Sequence, residues 1–224
     1  MISASEPAPL VLAGDSVRFR RITLSSAIGP VFLDIYEPAT PPPLIPGGRE
    51  AIITIVGAGD NREVPQFINF AQSFAREGIV VVNVGTPTLF NFQISARDGE
   101  AVVQAFELLE HWPGVDPHHI GIIPFSVGDE LACVAAADPR IRDQVAFIGI
   151  LGGYFDATSL LHTVGRRAQD VDGQTQPWQP ISTDLYVRED TVSSKVVWVM
   201  DACKRCCKFL SLGERYGLIV AVMQ

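Results

Sequence analysis

The stretch Gly121-Ile122-Ile123-Pro124-Phe125-Ser126-Val127-Gly128-Asp129-Glu130 decides how this chain is read. An apolar run ends in a tight corner, and the small-residue segment 128–137 follows as a helix. A serine at that corner is held clear of the sheet edge. The N–H of the next residue, Val127, points with the helix N-terminus toward any oxyanion that forms beside Ser126. Gly128 lets the helix start close to the strand.

Working outward, further apolar runs without alternation occupy residues 51–56 (AIITIV), 78–84 (GIVVVNV), 120–123 and 145–151. Such runs fit strands buried on both faces, as in a parallel sheet. Helical patterns separate them. Over 64–77 the apolar Phe67, Phe70, Ala71 and Phe74 share one face; over 97–111 the stripe is Val102, Val103, Phe106 and Leu109. Before this region, 17–24 and 31–36 read as an antiparallel hairpin, and the Pro- and Gly-rich 38–48 reads as an exposed loop. The fold class is therefore α/β: a doubly wound, mostly parallel sheet with an N-terminal antiparallel hairpin. The division expected is a loose leader over 1–15 and one domain over 16–224. Within it, 156–190 forms a cap or irregular insertion, with a short helix over 160–167 and a polar loop over 169–180. Residues 195–200 (KVVWVM) and 218–223 (LIVAVM) read as late strands.

Composition bounds the functions. The chain has 224 residues, 47% hydrophobic and 19% charged, enough for one domain with a sizeable core. A net charge of −8 argues against a broad nucleic-acid or anionic-membrane surface, since both need clustered Lys and Arg. There is neither a secretory signal pattern nor an apolar run of about 20 residues, so a soluble, cytoplasmic protein is expected. Three of the four cysteines crowd into Cys203, Cys206 and Cys207, with Cys133 apart. Cys203 and Cys206 have the spacing of half a zinc site but no second half, so neither metal nor cofactor is expected. Gly57-Ala58-Gly59 could open a phosphate-binding loop, but the dinucleotide pattern needs glycine at 62, where Arg62 stands.

The segment PGVDPHHIGIIPFSVGDELACVAAADPRI (113–141) resembles the nucleophile-elbow region of α/β-hydrolases, including dienelactone-hydrolase-like and peptidase-like members. Asp116-Pro117-His118-His119-Ile120-Gly121-Ile122 matches the entry to that strand, and the resemblance covers roughly residues 17–156. It departs from the family at Pro124, where the elbow carries glycine, and at Asp129, where a small residue is usual. The resemblance implies Ser126 as nucleophile and Val127, with Ala58 or Gly59, as oxyanion donors. Only His162 follows Ser126 among the four histidines, so it is the candidate base. His111, His118 and His119 precede Ser126 and belong at the opposite end of the sheet. The acid is Asp201 or Asp156. For Asp156 an N-cap of the following helix competes, and for His162 a position on the cap surface. No histidine follows 162, which raises a truncated or rearranged C-terminal part.

Three functions follow. The first is a serine hydrolase of an ester, lactone or related small-molecule acyl substrate, its apolar lining supplied by Phe90, Phe92, Tyr154 and Phe155. The second is a catalytically inactive relative that keeps the scaffold as a binding or interaction module. The third is a flavodoxin-like nucleotide binder, with its ligand at Gly57–Gly59 and no use for Ser126.

Overall fold

Alternation makes the first two strands. In the computed structural model, which describes residues 14–41, 47–153, 166, 168–171, 173–177 and 219–221, β1 (Val17–Ser26) and β2 (Gly29–Pro38) form an antiparallel hairpin with a two-residue turn. β1 lies at the sheet edge and carries Arg18, Arg20 and Arg21, charges that discourage pairing with another chain.

The unalternating runs become the centre of the sheet. β3 (Arg49–Ile55), β4 (Val80–Gly85), β5 (Val115–Pro124) and β6 (Val145–Leu151) are mutually parallel, and β9 (Ile219–Ala221) joins β6. The order is β1-β2-β4-β3-β5-β6-β9. Every residue of β4 is buried, as expected of a strand covered on both faces.

The helices divide between those faces. α1 (Pro65–Arg76) buries Ala71 and Ala75 against Tyr36 and Val81. α3 (Gly99–Glu110) and α4 (Gly128–Ala136) cover the other face, where Val80, Val82, Ile53 and Ile122 point. The α3 stripe Val102, Val103, Phe106 and Leu109 is at most 1% exposed. Burying four such side chains contributes on the order of 6–12 kcal/mol. That outweighs the marginal stability of an isolated 12-residue helix, so packing holds α3 in place.

Two short elements were not legible. α2 (Pro87–Phe90) has only four residues, too few for a periodic signal; Thr86 caps it by accepting from Leu89 N–H at 3.2 Å, with Pro87 next. A 3₁₀ turn (Ala96–Asp98) leads into α3. The expected polar loop over 169–180 is corrected in part: β7 (Ala168–Val171) and β8 (Gln174–Pro177) pair as a hairpin. Its Asp-Gly turn signal (Gly173 at φ 77°) counted for more than its lack of apolar alternation. The expected short helix over 160–167 and the strand over 195–200 lie outside the described residues, apart from Arg166. No helix among the described residues is long and apolar enough to cross a membrane.

A polar row crosses the sheet. Arg21, Asp34, Asn83 and Thr54 are neighbours on β1, β2, β4 and β3. Asp34 is 1% exposed and receives two bonds from Arg21, at 2.7 and 2.8 Å. Thr54 donates to Asn83. Each buried polar group is thereby matched, which avoids the penalty of burying it alone.

Asp98 is a contrasting buried acid. It is 2% exposed, Thr88 Oγ1 donates to its Oδ1 at 3.1 Å, and Oδ2 has no partner among the described residues. Burial raises its pKa, against the lowering effect of Thr88 and Thr86. A raised folded-state pKa means that the folded chain holds this proton more tightly than the unfolded chain. The Asp98 contribution is therefore most favourable below the ordinary carboxylate range and is lost as pH rises through it. Asp98→Asn should gain stability relative to wild type between pH 4 and pH 7 in urea unfolding; a difference independent of pH would contradict this.

Candidate active site

The site begins with the crossover. The chain leaves β3 for β4 on one side and returns to β5 on the other, so the loops after β3 and β5 part at the carboxyl ends of neighbouring strands. Such a switch point opens a crevice. Residues 56–64 and Phe125–Val127 face each other there.

Ser126 sits at the turn between β5 and α4 with φ 55°, the left-handed region that a non-glycine residue seldom occupies. It is exposed. Four backbone bonds hold it: Phe125 N–H to Ile55 O at 2.8 Å, Ser126 N–H to Leu151 O at 3.0 Å, Gly128 N–H to Phe125 O at 2.9 Å and Asp129 N–H to Ser126 O at 3.2 Å. The Phe125 ring is gripped edge-on by Phe67 (5.4 Å between centroids) and Phe70 (5.1 Å) of α1. The turn is fixed on both sides, which is what a strained conformation requires to persist.

Close approach explains two glycines. A Cβ on Gly128 would lie 2.7 Å from Ile55 O, so only glycine lets α4 start against β3. A Cβ on Gly57 would lie 3.3 Å from Phe125 O and 3.9 Å from Ser126 Oγ. The glycine loop therefore touches the serine turn.

The loop holds itself in shape. Asn61 Nδ2 lies 3.2, 3.1 and 3.2 Å from the carbonyl oxygens of Val56, Ala58 and Gly59, turning all three toward one amide. Gly59 N–H donates to Leu89 O at 2.7 Å, so of the two loop donors expected from sequence, Gly59 is already committed. The N–H groups of Ala58 and Val127 have no acceptor among the described residues. Glu63 ties the far end of the loop to Arg21 at 2.8 Å. Arg62 pairs with Asp60 at 2.7 and 2.5 Å and lies over Phe90 (4.4 Å) and Phe32 (5.0 Å). The Arg62 bond holds the Asp60 carboxyl below its usual range.

The two departures at the elbow are accommodated. Pro124 ends β5 opposite Ile55. Alternate amides along a parallel strand point to opposite neighbours; Phe125 donates toward β3, so position 124 faces β6, where the β5–β6 register is already irregular. Its missing N–H therefore interrupts little. Asp129 is 5% exposed, accepts from Glu130 N–H at 2.7 Å and lies against Gly153 beyond β6.

The structure thus places Ser126 and Val127 against the loop that carries Ala58 and Gly59, in contact at Gly57. His162, Asp156 and Asp201 lie outside the described residues, as do Tyr154 and Phe155. His118 and His119 are at the amino end of β5 and His111 caps the end of α3, away from Ser126. Asn61 was missed by sequence reading; an Asn in a loop is ordinary, and only the folded loop shows it bonding three carbonyls. The glycine loop does not open a helix: five residues separate Gly59 from α1, so it offers no helix N-terminus to a phosphate.

Two measurements check this geometry. Ser126→Gly should stabilise the fold by about 0.5–1 kcal/mol by relieving the left-handed residue; a loss of stability in urea unfolding would contradict the φ. Asn61→Ala should speed hydrogen exchange at Gly59 N–H more than at strand amides; equal protection would show that the loop holds its shape without Asn61.

No family model matches the sequence, and no curated protein matches it. Solved structures do. An esterase of Pyrobaculum calidifontis is 16% identical over 96% of this chain and 79% of its own, with a TM-score of 0.54. A bacterial heroin esterase is 19% identical over 93% and 74%, at 0.50. The 2,6-dihydroxy-pseudo-oxynicotine hydrolase is 22% identical over 62% of this chain at 0.48, and the chain spans only 38% of its length. With a hairpin leading a parallel sheet and a left-handed serine where its central strand turns into a helix, the chain has the α/β-hydrolase fold.

Proposed function

We propose that the protein is a serine hydrolase acting on an ester, lactone or related acyl substrate. The observation that carries this reading is the exposed Ser126 at φ 55°, with the amides of Val127 and Ala58 uncommitted beside it. A strained residue held by four backbone bonds serves no packing need. It does serve a nucleophile that must project into a crevice.

In this reading Ser126 Oγ attacks the acyl carbon and its proton passes to a base, for which His162 is the candidate, oriented by Asp201 or Asp156. Negative charge gathers on the former carbonyl oxygen. The Val127 N–H and the loop N–H of Ala58 stabilise it, while Gly59, bound to Leu89 O, shapes the loop. The base returns its proton to the leaving alcohol, and water then cleaves the acyl-enzyme by the same steps.

A second reading, a catalytically inactive relative used for binding, draws on Asp129. Its buried carboxylate stands in the first turn of α4, where it opposes the positive helix end on which an oxyanion depends.

The two readings separate on one reagent. A fluorophosphonate probe should label the folded protein, and Ser126→Ala should abolish both labelling and hydrolysis of small esters. Folded wild-type protein that is neither labelled nor active would leave the binding reading.

A further inference from the structure

Phe92 is costly in two independent ways. Its φ is 56°, and beside Ser126 it is the only non-glycine among the described residues with positive φ. For a bulky side chain this conformation is sterically unfavourable. Phe92 is also 72% exposed, so it forgoes most of the stabilisation that burying a Phe side chain provides. The turn itself does not require Phe: Phe92 N–H donates to Leu89 O at 2.9 Å and Gln93 N–H to Thr88 O at 2.9 Å, bonds that glycine at 92 could make equally well.

The ring is nonetheless placed. Its edge faces Gly59, 3.1 Å from where a Cβ there would stand, near Asn61 Nδ2. Leu89 O accepts from both Gly59 and Phe92, so one carbonyl fixes the oxyanion loop and the Phe92 turn together. One residue, Ala58, separates Gly59 from Gly57, which touches Ser126; that span is at most about 7 Å. The glycine loop is thus the shared neighbour of Ser126 and of the Phe92 ring. Phe90 serves differently: it stacks on Phe32 (5.3 Å) with Arg62 over it, so its ring is already occupied.

We propose that Phe92 is a specificity-determining platform for an aromatic group of the substrate, which makes aryl esters the preferred class. The inference rests on the hydrolase reading. Strain at Phe92 keeps the ring out of the core and beside the loop, where an incoming aromatic ring covers it. Ring-on-ring contact adds attraction beyond the buried area, which favours aryl over alkyl groups of equal size.

The test compares wild type, Phe92→Ala and Phe92→Tyr on 2-naphthyl acetate and methyl acetate, alongside equilibrium binding of 2-naphthol, which involves no chemistry. Phe92→Ala should lower kcat/KM for the naphthyl ester about ten-fold more than for methyl acetate, mainly through KM, and should weaken naphthol binding. Phe92→Tyr should restore both. If wild type turns over both esters and Phe92→Ala changes them by the same factor, the platform is overturned while the hydrolase reading stands. If wild type hydrolyses neither ester but loses naphthol binding with Phe92→Ala, the platform stands and the hydrolase reading fails. Absence of naphthol binding by wild type overturns the platform.

Discussion

The hydrogen bond from Phe125 N–H to Ile55 O at 2.8 Å joins the two strands on which everything else depends. β3 and β5 pair in parallel at the middle of the sheet, although α1, β4, α2 and α3 intervene in sequence. That pairing sends two connections apart and opens the crevice between them. Ile55 also sets how near α4 may come, since its carbonyl and Cβ lie where a side chain on residue 128 would be. A single residue thus fixes both the depth of the elbow and the origin of its helix.

Strain is tolerated here because its surroundings over-determine it. Ser126 and Phe92, the two left-handed non-glycine residues described, both lie against one glycine loop, at Gly57 and Gly59 respectively. Each is pinned by backbone bonds into regular structure. The aromatic grip of Phe67 and Phe70 on Phe125 adds to the hold on the serine side. On the Phe92 side, Leu89 O serves as a shared anchor. Asn61 fixes the shape of the loop by holding the carbonyls of Val56, Ala58 and Gly59. Preorganisation of this kind is what makes a backbone donor effective in catalysis.

The polar row beneath the loop supports the same arrangement. Arg21 holds Asp34 and Glu63 together, linking the edge hairpin to the loop end, and Asn83 and Thr54 continue the row under it. Asp34, Asn83 and Thr54 are buried on the α1 face, while the main apolar cluster lies on the α3 face. The apolar face supplies cohesion. The polar face fixes which strands lie side by side, since a shifted register would strand Asp34 without Arg21.

The sequence by itself determined the longer elements and the α/β class that they form. Continuous apolar runs announced the buried parallel strands, and period-3.6 stripes announced α1 and α3, because both signals arise from local geometry meeting a nearby apolar surface. The Pro-Phe-Ser corner before Gly128 announced the turn at Ser126 for the same reason. Short elements escaped, α2 because four residues show no period and the β7–β8 hairpin because its exposed strands need no apolar face. Only tertiary structure decided which amides remain free. Gly59 and Ala58 look equivalent in sequence, and the choice between them rests on Leu89, thirty residues on, whose carbonyl claims one of them. The role of Asn61 and the exposure of Phe92 are likewise set by partners distant in the chain, and no local pattern can encode a neighbour that folding alone supplies.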